Sequence, residues 1–184
     1  KQHLELARDL AQRFNSRYSD TFIVPEGFIP KEGARIMSLQ EPSQKMSKSD
    51  ENPNATILML DSADAITNKI KRAVTDSIGI VAYNDEQKGI KNLINIYSTF
   101  TGESTEAIVS KYEGKGYGDF KRETAEVIVE GLRPVREKYE YLMENKDYLE
   151  EIYAKGAAKA HNKARKTLDK VYRKVGFVQA KRSE

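Results

Sequence analysis

Pro42-Ser43-Gln44-Lys45-Met46-Ser47-Lys48-Ser49-Asp50-Glu51-Asn52-Pro53 is the stretch around which the rest of this 184-residue chain is read. Two lysines three apart, interleaved with two serines and closed by a turn-forming Asn-Pro, put several donors on one polar loop. Lysine ammoniums are compact, strongly hydrated charges suited to non-bridging phosphate oxygens. Hydroxyls and backbone N–H groups beside them complete a phosphate cradle. An arbitrary Lys-x-x-Lys would be a solvated basic loop, and Asp50 and Glu51 stand close enough in sequence to pair with the lysines.

Working outward, the loop lies between two short apolar runs, Ala34 to Leu39 and Ala55 to Leu60, each readable as a strand. Pro25, Gly27, Pro30 and Gly33 punctuate the approach. Ahead of them Leu4, Ala7, Ala11, Phe14 and Tyr18 recur at helical steps, so residues 1–18 read as an amphipathic helix. That rhythm is under way at Lys1 without an initiator Met or a capping residue, and the expectation is a chain that starts mid-protein.

After Asp61 the pattern turns helical. Ser62 caps a helix that turns Ile66, Ile70 and Val74 inward, and Ile90, Leu93, Ile94, Tyr97 and Phe100 mark a second helix closed by Gly102. Ser104 opens a short helix through Tyr112, and the glycine-rich turn Glu113 to Gly118 follows. Asp119 is the expected cap of a long helix with Phe120, Val127, Ile128, Leu132, Val135, Tyr139 and Leu142 inward, kinked or interrupted at Pro134. Asp147 is the expected cap of the last, with Leu149, Ile152, Tyr153, Ala160, Ala164, Leu168 and Val171 inward up to Gly176. At this spacing Tyr97, Tyr112, Tyr139 and Tyr153 read as core.

Hydrophobic residues are 39% and charged residues 32%, with a mean hydropathy of -0.68. Such a lean chain implies a thin, helical core edged by charged side chains. Without cysteine there is no disulfide scaffold or thiolate metal site, and His3 and His161 alone do not replace one, so no metal ligands are assigned. No apolar run is long enough for a membrane span. The expectation is a soluble, cytoplasmic protein.

Lys45-Met46-Ser47-Lys48-Ser49 matches, letter for letter, the KMSKS signature of class I aminoacyl-tRNA synthetases. With Gly33 to Leu39 before it and Asp50 to Pro53 after it, the region closely resembles the bacterial tryptophanyl-tRNA synthetase family. Ile96 to Thr99, Tyr112 to Gly118, Leu132 to Val135 and Val171 to Phe177 resemble later parts of the same family, so the likeness runs along essentially the whole chain.

The resemblance implies a mainly α chain. Residues 1–60 would be the C-terminal remnant of a Rossmann-type α/β catalytic domain with its signature loop, and residues 61–184 an α-helical anticodon-binding bundle. It implies a C-terminal portion lacking the HIGH signature and the tryptophan pocket, so this chain alone is expected to be inactive. Lys45 and Lys48 are the implied catalytic pair on the pyrophosphate leaving group. Lys45, Met46, Ser47, Lys48, Ser49 and the backbone at Ile36 are the implied ATP contacts. ATP, tryptophan, Mg²⁺ and tRNA(Trp) are the implied substrates and partners, and the family is homodimeric.

Charge marks a second candidate. From Lys155 to Lys174 there are eight Lys or Arg against the single acid Asp169, a net +7 in a chain whose total is +3. A strongly basic helix face is the usual footprint for nucleic-acid phosphate, and Lys159, Lys163, Arg165, Lys166 and Lys170 are the candidate tRNA contacts. A different class remains open: a stand-alone helical RNA-binding module without catalysis. So does a tyrosyl-type relative.

Overall fold

A computed structural model describes residues 2–28 and 35–178. Lys1 and the punctuating Pro30 and Gly33, with Ala34 at the head of the first expected strand, lie outside the described residues. Among the described residues six helices form in the order α1 (Gln2–Tyr18), α2 (Ala63–Lys71), α3 (Lys88–Thr101), α4 (Thr105–Lys111), α5 (Tyr117–Glu144) and α6 (Lys146–Val175). They divide into two compact units, Pro30–Tyr141 on one hand, and Lys1–Ile29 with Leu142–Glu184 on the other.

The first unit is built around α3, the most apolar of the helices. Ile90, Leu93, Ile94, Ile96 and Tyr97 are all buried there, joined by Ile66 and Ile70 of α2, Ile108 of α4, and Phe120, Ala125, Ile128 and Leu132 of α5. Tyr97, Tyr112 and Phe120 form an aromatic cluster, with the Tyr112 and Phe120 rings 4.9 Å apart and near edge-on. Two caps follow the expected chemistry: Ser62 Oγ accepts from the Ala65 N–H, and Ser104 Oγ from the Ala107 N–H. Gly102 ends α3 at φ 75°, a left-handed conformation that glycine adopts without a Cβ clash.

The helix starts depart from expectation at two places. Asp119 and Asp147 sit inside the first turns of α5 and α6 rather than at their caps, where their charge favours the positive helix end. Pro134 does not interrupt α5, which runs unbroken for 28 residues. Arg133 clasps the turn that this proline weakens, pairing with Glu130 at 2.7 Å and Glu137 at 2.8 Å.

Neither expected strand forms among the described residues. Residues 36–39 make a single antiparallel bridge, Met37 with Lys45, flanked by backbone bonds from Met46 N–H to Ile36 O and from Ser38 N–H to Gln44 O. The other edge of Met37 meets a side chain instead of a strand: Asn92 of α3 accepts from Met37 N–H and donates to Met37 O, both at 2.8 Å. The second run has its Ala55 carbonyl bonded to Leu39 N–H, and its Thr56 carbonyl accepts from Lys69. Each run finds single partners from different elements, so no ladder propagates.

In the second unit, Asn15 closes the chain after α1. Its side-chain oxygen accepts from the N–H groups of Thr21 and Phe22, and its amide donates to Phe22 O. The expected inner face of α1 is the more covered one, with Ala11 buried while Leu6 and Leu10 are exposed. Helix α6 buries none of its 30 residues. Tyr153 is 63% exposed, and Ile152, Ala160, Ala164 and Leu168 are exposed too, against the expectation of a core face. Amphipathic spacing marks the face that could be buried, and among the described residues little covers it. Val135 and Tyr139 on α5 are likewise exposed, as are Val74 beyond α2 and Phe100 on α3.

Candidate functional site

The loop between Met37 and Ala55 is short of regular structure but not of hydrogen bonds. Its base is the Met37–Lys45 bridge, held from behind by Asn92, which is 2% exposed. Its crown is a nest of short-range bonds. The Ser47 and Ser49 hydroxyls lie 3.0 Å apart, Ser49 N–H donates to Ser47 Oγ, and Asp50 N–H donates to Ser47 O. Its return arm is closed by Asp50 and Asn52, whose side-chain oxygens accept from Asn52 and Asn54 N–H.

A chain of polar contacts then ties the crown to α2. Ser47 O accepts from the Thr56 hydroxyl at 2.6 Å, and Thr56 O accepts from Lys69 at 2.8 Å. Lys69 also pairs with Asp61 at 2.6 Å in a half-buried setting. Asp61 in turn accepts from Leu58 N–H. Each anchor fixes backbone, and none uses a signature lysine.

Lys45, Ser47, Lys48 and Ser49 are all exposed, whereas Ile36 and Met46 are half-buried against the core. Among the described residues neither lysine forms an ion pair; Asp50, the nearest acid in sequence to Lys48, accepts from the loop backbone at Asn52 N–H. The arrangement is thus two uncompensated cations and two hydroxyls on a backbone fixed from below. That donor set suits a polyphosphate. It does not suit direct metal ligation, and no cluster of three or more His, Asp or Glu able to hold a metal occurs among the described residues.

The basic candidates lie on α6, in the other unit. Lys159, Lys163, Lys166 and Lys170 recur at steps of four, three and four and therefore share one exposed helix face. Arg165 is exposed on a different face, about a third of a turn from the stripe's centre. Three other cations of the basic run are already engaged. Lys155 pairs with Glu151, Arg173 donates to Asp169 O, and Lys174 donates to Asp20 O at 2.8 Å and to the Thr21 hydroxyl at 2.7 Å. His161 is exposed on the same helix.

Sequence reasoning missed Asn92, Thr56 and Lys69, which position the loop. The readable clue was Asn92, a polar residue inside the apolar face Ile90, Leu93, Ile94. Thr56 and Lys69 leave no such trace in the sequence.

A model of the tRNA synthetases class I (W and Y) matches residues 1–133. A tryptophan–tRNA ligase from Clostridium perfringens is 58% identical over 177 residues, which is 96% of this chain and 53% of that protein. One from Bacillus anthracis is 54% identical over 183 residues, 99% of this chain and 55% of that protein. The solved tryptophanyl-tRNA synthetase of Mycoplasma pneumoniae superposes with a TM-score of 0.84 at 29% identity, over 96% of this chain and 54% of that one. A Campylobacter jejuni tryptophanyl-tRNA synthetase solved with ADP and tryptophan gives 0.66 at 33% identity, with the same shares covered. The chain spans about half the length of the curated relatives it matches.

Proposed function

We propose, from the premise that this chain belongs to the class I tRNA synthetases of the W and Y group, that it carries the pyrophosphate-handling loop and the tRNA-facing helices of a tryptophan–tRNA ligase. The observation that carries the reading is the Lys45–Lys48 pair, exposed and without an acidic partner among the described residues, on a loop tied at its base and at Ser47. In this reading the protein is cytoplasmic and homodimeric, as the family resemblance implies. Residues 1–60 serve catalysis and residues 61–184 serve the tRNA. That functional division differs from packing, in which the loop shares one core with α2 to α5.

In the first step a tryptophan carboxylate oxygen attacks the α-phosphorus of ATP, and the bond to the bridging oxygen of the β-phosphate breaks. Negative charge grows on the departing pyrophosphate, and Lys45 and Lys48 meet it there. Donors fixed before reaction need no reorganisation when that charge appears, which is the use of the loop's backbone anchors. The Ser47 and Ser49 hydroxyls donate to the same phosphates. Ile36 O and Met46 N–H already bond each other, so the adenine edge would be met by Ile36 N–H and Met46 O. Mg²⁺ enters with ATP as part of the substrate. In the second step the 3′-terminal adenosine of tRNA(Trp) takes the tryptophanyl group from the adenylate, releasing AMP. The stripe Lys159, Lys163, Lys166 and Lys170, with Arg165 beside it, supplies phosphate contacts to that tRNA.

The test is a chimera in which these residues replace the matching portion of the Clostridium perfringens tryptophan–tRNA ligase, assayed for ATP–pyrophosphate exchange and tRNA(Trp) binding on one sample. Tryptophan-dependent exchange together with tRNA binding is the expected result. Binding without exchange would favour the helical RNA-binding module, and binding of tRNA(Tyr) in preference to tRNA(Trp) would favour the tyrosyl-type relative.

A further inference from the structure

Met46 stands between the two signature lysines, yet its side chain goes the opposite way from theirs. It lines an apolar cleft of about 140 Å³ with Ile36 and Ile57 of the loop arms, Ile96 and Phe100 of α3, and Ile128 of α5. Phe100, one wall of that cleft, stands close to α5: a Cβ built on Gly131 would lie 2.3 Å from its ring, so a side chain there would push the ring away. Lys45 and Lys48 themselves make no ion pair with any described residue. Met46, whose N–H bonds Ile36 O where the stem meets the crown, thus packs on the helical core between the two cations.

We propose that the Met46 side chain, packed on the core in the cleft whose lining it shares with Phe100, is a positioning residue: it fixes where Lys45 and Lys48 present their charges and couples the loop to the packing of α3 against α5. This rests on the reading of the loop as a phosphate site, but its mechanical part stands without it. Backbone bonds at the bridge hold the stem and Thr56 holds Ser47 O, while the methionine packs the junction between stem and crown against the core. A long, unbranched and polarizable side chain suits such a seat, because it follows small shifts of the helices without losing contact.

Trypsin reads the crown directly, since Lys45 and Lys48 are its own cleavage sites. In the chain as it stands, cleavage after these two residues, followed by mass spectrometry, is expected to rise roughly tenfold in Met46→Ala as the crown opens more often. Met46→Leu should restore resistance. Phe100→Ala should raise cleavage in the same direction while leaving the sequence around both scissile bonds untouched. Phe100 is 39% exposed but its ring lies against α5, so the melting midpoint should fall, and cleavage is compared well below each variant's midpoint with helical circular dichroism retained. Cleavage unchanged in both Met46→Ala and Phe100→Ala, with helicity retained, overturns the proposal. So does a rise in cleavage at all lysines alike, which would signal general unfolding.

Carried into the chimera, Met46→Ala should lower kcat for pyrophosphate exchange about tenfold with little change in KM for tryptophan, and Met46→Leu should recover it. A loss confined to tryptophan KM contradicts the positioning role. If the tryptic pattern holds while the unmutated chimera shows no exchange, the proposed function fails and the seat of Met46 stands.

Discussion

The loop from Lys45 to Ser49 and the helix α6 both present lysines to solvent, and they are made by opposite means. The loop lies on the buried face of α3, with Asn92 gripping its base and the Thr56–Lys69–Asp61 chain gripping its crown. Helix α6 buries no residue in 30 and relies on sequence spacing alone to align its charges. The contrast separates two uses of a cation. Stabilising charge that develops on a leaving group requires a fixed position. Attracting a polyanion requires mainly density of charge, which an exposed helix supplies.

That contrast can be broken or sharpened at several strengths. The largest effect is expected from Lys48→Ala in the chimera. Pyrophosphate exchange should slow roughly 10²–10³-fold, about 3 to 4 kcal/mol of lost transition-state stabilisation. Next is Ile94→Ala in the buried face of α3, which should cost about 3 kcal/mol in urea unfolding, whereas Leu168→Ala on α6 should cost less than about 1 kcal/mol. Equal losses would abolish the structural half of the comparison. Asn92→Ala orphans both backbone groups of Met37 and should cost about 2 kcal/mol in the same measurement.

Smaller still, Lys163→Ala should weaken tRNA binding and reduce the slope of log K against log salt by about 0.7 to 0.9, one phosphate contact's worth. The least effect concerns acid. The Tyr112 hydroxyl, donating at 2.5 Å, holds Glu123 below the usual carboxylate range, with the charges of Lys111 and Lys115 assisting. A lowered folded pKa contributes stability above the unfolded value of about 4.3, lost as pH falls through the folded one. Glu123→Gln should therefore be less stable than the parent at neutral pH, and the gap should shrink as pH falls below that value.

What the sequence made legible follows the same contrast. The four-helix pattern from Ser62 to Tyr112 and into α5 was readable because apolar periodicity and hydroxyl caps report local geometry. The core residues Ile66, Ile70, Ile90, Leu93 and Ile94 are where the spacing put them. The two strands failed because a strand is a property of its neighbours: Met37 has an antiparallel partner on one edge and an asparagine on the other. The inner face assigned to α6 failed because amphipathic spacing states which face could be buried, not whether another element lies against it. The family was legible in the five letters of the loop and the motifs around it, but the loop's supports were not. Thr56 and Lys69 are ordinary residues whose role exists only in three dimensions.

The most direct test of the central claim is a crossed pair of variants in the chimera, Lys48→Ala and the triple Lys163→Ala, Lys166→Ala, Lys170→Ala, each assayed for pyrophosphate exchange without tRNA and for tRNA(Trp) affinity. The account predicts a separation: the loop variant loses exchange and keeps tRNA affinity, while the helix variant loses affinity and keeps exchange. A helix variant as impaired in exchange as Lys48→Ala, or a loop variant that exchanges normally, would contradict it.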